Sequence, residues 1–262
     1  MRKYFQYLLK VTSLGFQRFV VNRKNLAIII LFEILDTIAF IFFLEILYGN
    51  FNLIAGYTKY ELYFMYGLNL CQVKLMMVLC IGGIDSFSSK IVSRDFDLVL
   101  LKPINTRLAM MIPEINLQQI ISMQAAVYLV VYGFCHSNIT INWTLAIAII
   151  EFLLSIVLLI DFFAIIMPIA FWTISASSLN DFAFSLQTNA KQPKEIYPKI
   201  VRIILTYIFP IILITNPTFM TLFNKPQWKE YFVLELVCFL IFEIVKRVIW
   251  KKGIRRYQCT VL

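Results

Sequence analysis

Residues 25–48 read NLAIIILFEILDTIAFIFFLEILY, a run in which only Glu33, Asp36 and Glu45 are charged. An α-helix rises 1.5 Å per residue, so this run is long enough to cross the ~30 Å hydrocarbon layer of a bilayer. We therefore predict that residues 25–48 form a transmembrane helix.

Further apolar stretches of similar length follow at 61–84, 108–134, 143–165, 200–223 and 231–250. The chain has 262 residues, of which 60% are hydrophobic and 15% are charged, whereas soluble domains average ~25% charged. These stretches predict an all-α, polytopic membrane protein with about six transmembrane helices and no separate soluble domain.

The basic residues predict the orientation of these helices, because cationic flanks stay on the cytoplasmic side during insertion. If the N-terminus is inside and the spans alternate, 20 of the 24 Lys and Arg residues fall on the inner side. They include Lys191, Lys194, Lys199 and Arg202 after the fourth span and Lys246 at the end of the sixth. The outer side keeps Lys59, Lys225 and Lys229, and Lys74 lies within a span. We therefore expect a multi-pass protein of the bacterial inner (cytoplasmic) membrane with both termini in the cytoplasm.

The net charge of +9 does not indicate nucleic-acid binding, because the basic residues flank spans and fit contact with anionic membrane lipids. The five cysteines have no CxxC spacing and there is one histidine, so neither a metal site nor a disulfide framework is expected. No catalytic constellation is visible, and we expect no enzyme activity in this chain.

The single domain 1–262 divides into segments by composition. The first 24 residues form a basic amphipathic helix, with Phe5, Leu8, Leu9, Phe16 and Phe19 on one stripe, as in helices that lie in the membrane interface. The remaining segments are spans one and two (25–84), a cytoplasmic segment (85–107), spans three and four (108–165), an interfacial and polar connection (166–199), spans five and six (200–250) and a basic cytoplasmic tail (251–262).

Two regions are ambiguous. Residues 143–176 are too long for one ordinary span and short for two, so we interpret them as one span that continues into an interfacial segment near Phe171 and Trp172, with a re-entrant hairpin as the alternative. In the fifth span, Pro210 and Pro217 predict a kinked or partly re-entrant helix, because proline lacks a backbone donor.

Residues 94–103, RDFDLVLLKP, hold the densest mixture of charged and apolar residues in the inner loop. Asp95 and Asp97 favour a helix start and Pro103 a stop, which predicts a two-turn cytoplasmic helix between spans two and three. Phe96, Leu100 and Leu101 then form an apolar surface flanked by charge. This surface either contacts a protein partner or folds back onto the membrane.

The order of these motifs resembles the type-two ABC exporter permeases, and within them the viologen-exporter-like branch. The resemblance is carried by the acidic residue, aromatic, Asp, two leucines and Lys-Pro after span two, by Tyr197-Pro198, Arg202, Pro210 and Asn216-Pro217, by Phe171-Trp172, and by the ending Gly253–Tyr257. Relatives commonly have glycine where Arg94 stands, and the tail after Tyr257 also departs from the family pattern.

This resemblance implies a transmembrane subunit that pairs with a second permease, identical or related, and engages cytoplasmic ABC ATPase subunits. Residues Asp95, Phe96, Asp97, Leu100, Leu101, Lys102 and Pro103 would make the ATPase contact. The chain has no GxxxxGK[ST] loop, so we expect it to bind no cofactor, and ATP and Mg²⁺ to belong to the partner. The implied activity is ATP-driven export of a substrate that the sequence does not identify.

Ionisable residues inside spans are costly and usually have a role. Glu45, Glu114, Glu235 and Glu243 lie closer to span ends, so we expect them to be solvated or to reach the interface. We predict that Lys74 pairs with Glu33 or Asp36, which lie at comparable depth. The pair is either structural, or Glu33, Asp36, Glu151 and Asp161 give a cavity a negative potential that favours cationic or amphipathic substrates. An ion-coupled secondary transporter that uses intramembrane acidic residues is the alternative function.

Overall fold

The computed structural model describes residues 2–21, 23–137, 139, 142–173 and 177–261. The side chains of the predicted flanking residues Arg2, Arg23 and Lys24, and the connection at 174–176, lie outside the described part. Within these ranges every long element is helical, and the one β-bridge joins Ile54 and Tyr57. The α-helices are α1 (Arg2–Val21), α2 (Arg23–Asn50), α3 (Lys59–Val92), α4 (Phe96–Leu100), α5 (Thr106–Met111), α6 (Leu117–Ser122), α7 (Gln124–His136), α8 (Thr144–Ile166), α9 (Ala170–Thr173), α10 (Ser177–Gln187), α11 (Lys199–Ile203), α12 (Ile212–Leu222) and α13 (Trp228–Val261).

Four described helical stretches are long and apolar enough to cross a membrane: Leu26–Asn50, Lys59–Val92, Leu117–His136 and Thr144–Thr173. A fifth is reached only if two short helices joined at a 101° bend count as one span. The structure therefore contains four or five candidate spans among the described residues, whereas the sequence predicted six. The predicted sixth, 231–250, lies within the single helix α13, where Glu235, Glu243, Lys246 and Arg247 keep the apolar share low.

Two apolar clusters mark the two ends of the helical bundle. Phe87, Phe96, Phe171, Trp250 and Tyr257 belong to one cluster, beside the C-terminal end of α3. We call this the coupling end. The other cluster, near the N-terminal end of α3, includes Tyr57, Tyr63, Phe64, Leu129 and Phe219, and we call it the opposite end.

Helix α3 does not stop near Gly82 and Gly83, as the sequence suggested, but continues to Val92. The cytoplasmic segment predicted at 85–107 therefore begins as helix. Gly83 serves close packing instead, because a Cβ there would lie 2.5 Å from the carbonyl oxygens of both Met110 and Met111.

The predicted third span, 108–134, is interrupted. Helix α5 ends at Met111, and Pro113 separates it from α6, so the membrane-length stretch is Leu117–His136. Ile112 leaves the helical region at φ −118° and ψ 67°, as expected for a residue that precedes proline. Pro113 indicates this interruption, but the residues around it are apolar enough to be interpreted as one continuous span.

Residues 144–173 form one continuous helical stretch, with a 3₁₀ turn at Met167–Ile169. This confirms the single-span interpretation of the region as far as Thr173. Phe171 is buried in the coupling-end cluster, while Trp172 is half exposed.

Residues 177–197 run beside α3 from the coupling end to the opposite end. The Asn180 amide donates to the Ile84 carbonyl over 3.5 Å, the Gln187 amide to Asn69 Oδ1 over 3.2 Å, and Tyr57 donates to Glu195 Oε2 over 2.8 Å. The segment is therefore not a connection confined to one end of the bundle, as the sequence predicted. Buried side-chain partners along α3 hold it across the bundle.

This course changes the predicted distribution of charge. Residues Lys191, Lys194, Lys199 and Arg202 were assigned to the inner side, but Lys194 Nζ lies 3.6 Å from the centroid of the Tyr231 ring, near the start of α13. If these four residues are counted with the opposite end, the predicted split of 20 against 3 becomes 20 − 4 = 16 against 3 + 4 = 7. The bias keeps its direction but is weaker.

The predicted fifth span, 200–223, is a bent pair of helices instead of one straight crossing. Lys199–Ile208, which ends in a π-helical turn, meets α12 at 101° beside Pro210. Phe209 is extended, as the residue before a proline tends to be. The interruption predicted at Pro210 is present, whereas Pro217 lies inside α12 and does not break it.

Candidate functional site

The segment between α3 and α5 carries the five-residue helix α4, where the sequence predicted a two-turn helix. Phe96 anchors this helix. Its ring centroid lies 5.1 Å from that of Tyr257, 5.2 Å from Phe171 and 6.1 Å from Phe87, all in edge-to-face arrangements. Because aromatic rings prefer such geometry, the contacts attach α4 firmly to α3, α9 and α13.

The exposed apolar side chains of α4 are only partly those that the sequence predicted. Phe96 is fully buried and Leu100 is partly buried, so neither presents a free contact surface. The exposed apolar side chains are Leu98, at 63%, and Leu101, at 80%. Sequence periodicity identified one stripe of the helix, but it could not show which stripe faces the bundle.

The acidic residues have separate roles around α4. Asp95 does not cap the helix with its side chain; it accepts a hydrogen bond from Ser93 Oγ over 2.6 Å. Asp97 faces Tyr257, where burial and then the Asp97 carboxylate raise the pKa of the tyrosine.

Arg94 adopts φ +63°, in the left-handed region that costs a side chain about 1–2 kcal/mol. Glycine, which the family resemblance leads one to expect at this position, would enter that region without steric cost. The chain therefore keeps the turn and tolerates the strain.

Lys102 and Pro103 follow α4 and face helix α1. Lys102 Nζ lies 5.8 Å from the centroid of the Tyr7 ring, and the Tyr7 hydroxyl donates to the Ile112 carbonyl over 2.7 Å. Val11 is buried on the same face of α1. The predicted apolar stripe, including Phe5, Leu9 and Phe16, is exposed on the other side. Helix α1 thus packs against the coupling region and leaves its apolar stripe uncovered by described residues.

The structure contains the predicted pair between Lys74 and Glu33, which joins α3 to α2. Lys74 also donates to Gln119 Oε1 on α6 over 3.2 Å. Asp36 is not a partner of Lys74; it accepts a hydrogen bond of 2.7 Å from the Tyr66 hydroxyl. These contacts supply polar partners for both carboxylates, which weakens the interpretation that they line a negatively charged cavity.

Asp161 is also paired. It binds Lys246 of α13, and Lys246 binds Glu243 over 2.6 Å in addition. The sequence placed Lys246 with the inner flank and Glu243 among solvated residues, but Lys246 is buried. The spacing of Glu243 and Lys246, three residues apart on one helix, was a signal for this contact.

Glu151 and Glu235 are fully buried and lack a cationic partner among the described residues. Glu151 Oε1 accepts from Thr221 over 2.9 Å, whereas neither Glu235 oxygen has a hydrogen-bond partner in the described part. The prediction that Glu235 is solvated or reaches the interface is wrong, because α13 turns this position toward the bundle.

A buried polar network that sequence reasoning missed connects α3, α8, α10 and α12. Gln72 donates to Ser155 over 2.7 Å and to the Ile214 carbonyl over 2.8 Å, and Thr215 donates to Gln72 Oε1 over 2.9 Å. Asn69 donates to Thr215 over 2.9 Å. Uncharged polar residues within apolar runs were the available signal. Satisfied buried networks specify one arrangement of the helices that they join.

Long apolar helices with charges paired inside the bundle are the features of a multi-pass membrane transport protein. The family model of the ABC-2 family transporter protein matches residues 34–261, so the chain belongs to that family. No curated protein and no solved structure shows significant similarity to the chain. Members of this family are membrane transport components that are not themselves catalytic and that associate with an ABC ATPase.

Proposed function

We propose that this chain is the transmembrane permease subunit of an ATP-binding-cassette exporter and that a separate cytoplasmic ATPase supplies the energy. The observation that carries the proposal is α4. This helix is fastened to three other elements through Phe96, while Leu98 and Leu101 stay exposed. A force applied to these leucines would be transmitted into α3, α9 and α13.

The buried contacts support mechanical transmission because packed cores switch between discrete arrangements and do not deform continuously. Phe96 contacts Phe87 near the end of α3, and α3 holds α2, α8 and α12 through Lys74 and Gln72. Nucleotide-dependent movement of an ATPase could therefore shift the population of two bundle arrangements.

We infer six crossings, with 177–197 as the fifth and α13 as the sixth. The hydrogen bonds of 177–197 span the length of α3 from Ile84 to Tyr57, and α13 contacts both ends through Trp228 and Tyr257. The bent pair then forms a re-entrant hairpin. The excess of 16 basic residues against 7 supports a topology in which the coupling end and both termini face the cytoplasm of a bacterial inner membrane.

The exporter also needs a second permease subunit, either another copy or a related chain. Helix α2 supports this, because Leu31, Phe32, Leu35 and Phe42 are exposed and only a small part of the helix packs in the bundle. Assignment to the viologen-exporter-like branch rests on the sequence motifs alone, and export of a cationic or amphipathic substrate rests on the acidic residues predicted inside the spans.

The test is recovery of the ATPase. The tagged chain is purified from membranes of its native host in mild detergent, and the co-purifying proteins are identified by mass spectrometry. We expect a protein with a GxxxxGK[ST] motif at near-stoichiometric amount, together with vanadate-sensitive ATP hydrolysis. Transport by the purified chain alone, driven by an ion gradient, would instead support the secondary-transporter alternative.

A further inference from the structure

A cleft of about 500 Å³ separates helix α1 from the residues that follow α4. Its lining combines three lysines with apolar and aromatic side chains on opposite walls. The wall from α1 includes Lys3, Tyr7, Lys10, Val11 and Leu14, and the other wall includes Lys102, Pro103, Ile104 and Pro113.

The walls of this cleft are held in place by direct contacts between α1 and the chain around α5. The Tyr7 hydroxyl donates to the carbonyls of Ile112 and Ala109, and Arg18 binds Glu114. Gly15 lies so close to the Ile115 carbonyl that a Cβ would overlap it. The lysines therefore project from a defined cleft.

The cations of the cleft have no counterion in the part of the chain that the structure describes. Among the described residues, no carboxylate lies within 4 Å of the ammonium of Lys3, Lys10 or Lys102. Partial desolvation and then the charge of Lys10 lower the pKa of Lys102, so these two cations repel each other in the absence of an anion. An anion placed between them would relieve this repulsion.

We propose that this cleft binds the phosphate headgroup of an anionic phospholipid from the cytoplasmic leaflet and so joins α1 to the coupling segment. The apolar walls favour a lipid over a free anion, since Leu14, Ile104 and Pro113 can contact the glycerol and upper acyl region. Phe5, Leu8 and Leu9 are exposed on the other side of α1, so the helix itself also has an apolar surface that can lie in the leaflet. The inference rests on the proposed interfacial position of α1 and does not require an ATPase.

The test measures phosphatidylglycerol binding to the purified full-length chain by native mass spectrometry, with phosphatidylcholine and inorganic phosphate as comparison ligands. The variant Lys10→Gln/Lys102→Gln removes two cations of the cleft. Lys251→Gln/Lys252→Gln is the matched control, because these exposed lysines at the coupling end of α13 lie outside the cleft.

We expect one phosphatidylglycerol per chain to bind at least 10-fold more weakly to the Lys10/Lys102 variant, while the control and Lys10→Arg/Lys102→Arg retain binding. If the double variant has a lower melting temperature, the exposed Lys10→Gln change alone makes the same comparison. Unchanged binding in these variants, equal loss in the control, or equal affinity for phosphatidylcholine would overturn the site. Displacement of the lipid by millimolar inorganic phosphate would show a free-anion site. Co-purification of the ATPase is measured separately, so failure here leaves the proposed function standing.

Discussion

The ring of Phe96 lies 5.1 Å from the ring of Tyr257, so helix α4 is held against the C-terminal end of the last helix. Two segments separated by most of the chain therefore meet in one aromatic cluster. Phe96 is buried in this cluster, whereas Leu98 and Leu101 remain exposed.

Replacement of Phe96 should destabilise the coupling end. Phe96→Ala removes a fully buried ring and leaves a cavity, which typically costs about 3–5 kcal/mol. We expect a clearly lower melting temperature of the detergent-solubilised protein, while Phe96→Leu loses much less. A wild-type melting temperature for Phe96→Ala would mean that the aromatic cluster does not hold α4.

Replacement of Arg94 should relieve backbone strain. Arg94→Gly keeps the turn at φ +63° without a Cβ, whereas Arg94→Ala removes the guanidinium and keeps the Cβ. We expect the glycine variant to be about 0.5–1 kcal/mol more stable than the alanine variant, after the greater chain entropy of unfolded glycine is counted. Chemical denaturation of both variants measures the difference, and equal stability would contradict the left-handed turn.

The Lys74–Glu33 pair should show strong coupling between its two members. Lys74→Met leaves the Glu33 carboxylate without its cation in the bundle, which we expect to cost about 3 kcal/mol. The double variant Lys74→Met/Glu33→Gln should recover part of this loss. A double-mutant cycle measures the coupling between Lys74→Met and Glu33→Gln, and a second cycle with Asp36→Asn in place of Glu33→Gln serves as the control. Additive effects of Lys74→Met and Glu33→Gln would argue against the pair.

The course of residues 177–197 predicts on which side of the membrane their side chains are accessible. In a cysteine-free background, Ile196→Cys should react with an impermeant maleimide from the same side as Lys59→Cys. Leu101→Cys should react only from the other side, because α3 separates the two ends. If Ile196→Cys were labelled from the same side as Leu101→Cys, residues 177–197 would not cross the bundle, and the inner position expected from the sequence would be supported.

Sequence reasoning recovered the features that depend on local composition. Apolar length predicted α2, α3 and α8, and proline predicted the bend near Pro210, because both effects act over a few residues. Lys74 and Glu33 lie at comparable depths in their predicted spans, and this was enough to predict the pair.

The features that it missed depend on how helices rotate and pack. Periodicity could not show that Phe96 faces the bundle or that α13 turns Glu235 inward. Residues 177–197 looked like a polar loop because their hydrogen bonds are made to distant residues such as Asn69 and Tyr57. Only the assembled bundle shows these partners.

The most direct test of coupling through α4 compares how much ATPase co-purifies with two variants of the tagged chain. Leu98→Asp/Leu101→Asp charges the exposed surface of α4, and Leu53→Asp places a charge on an exposed leucine at the opposite end. The account predicts at least a 10-fold loss of ATPase from the α4 variant, with wild-type amounts for Leu53→Asp and an unchanged melting temperature for both. Wild-type recovery of the ATPase with the α4 variant would contradict it.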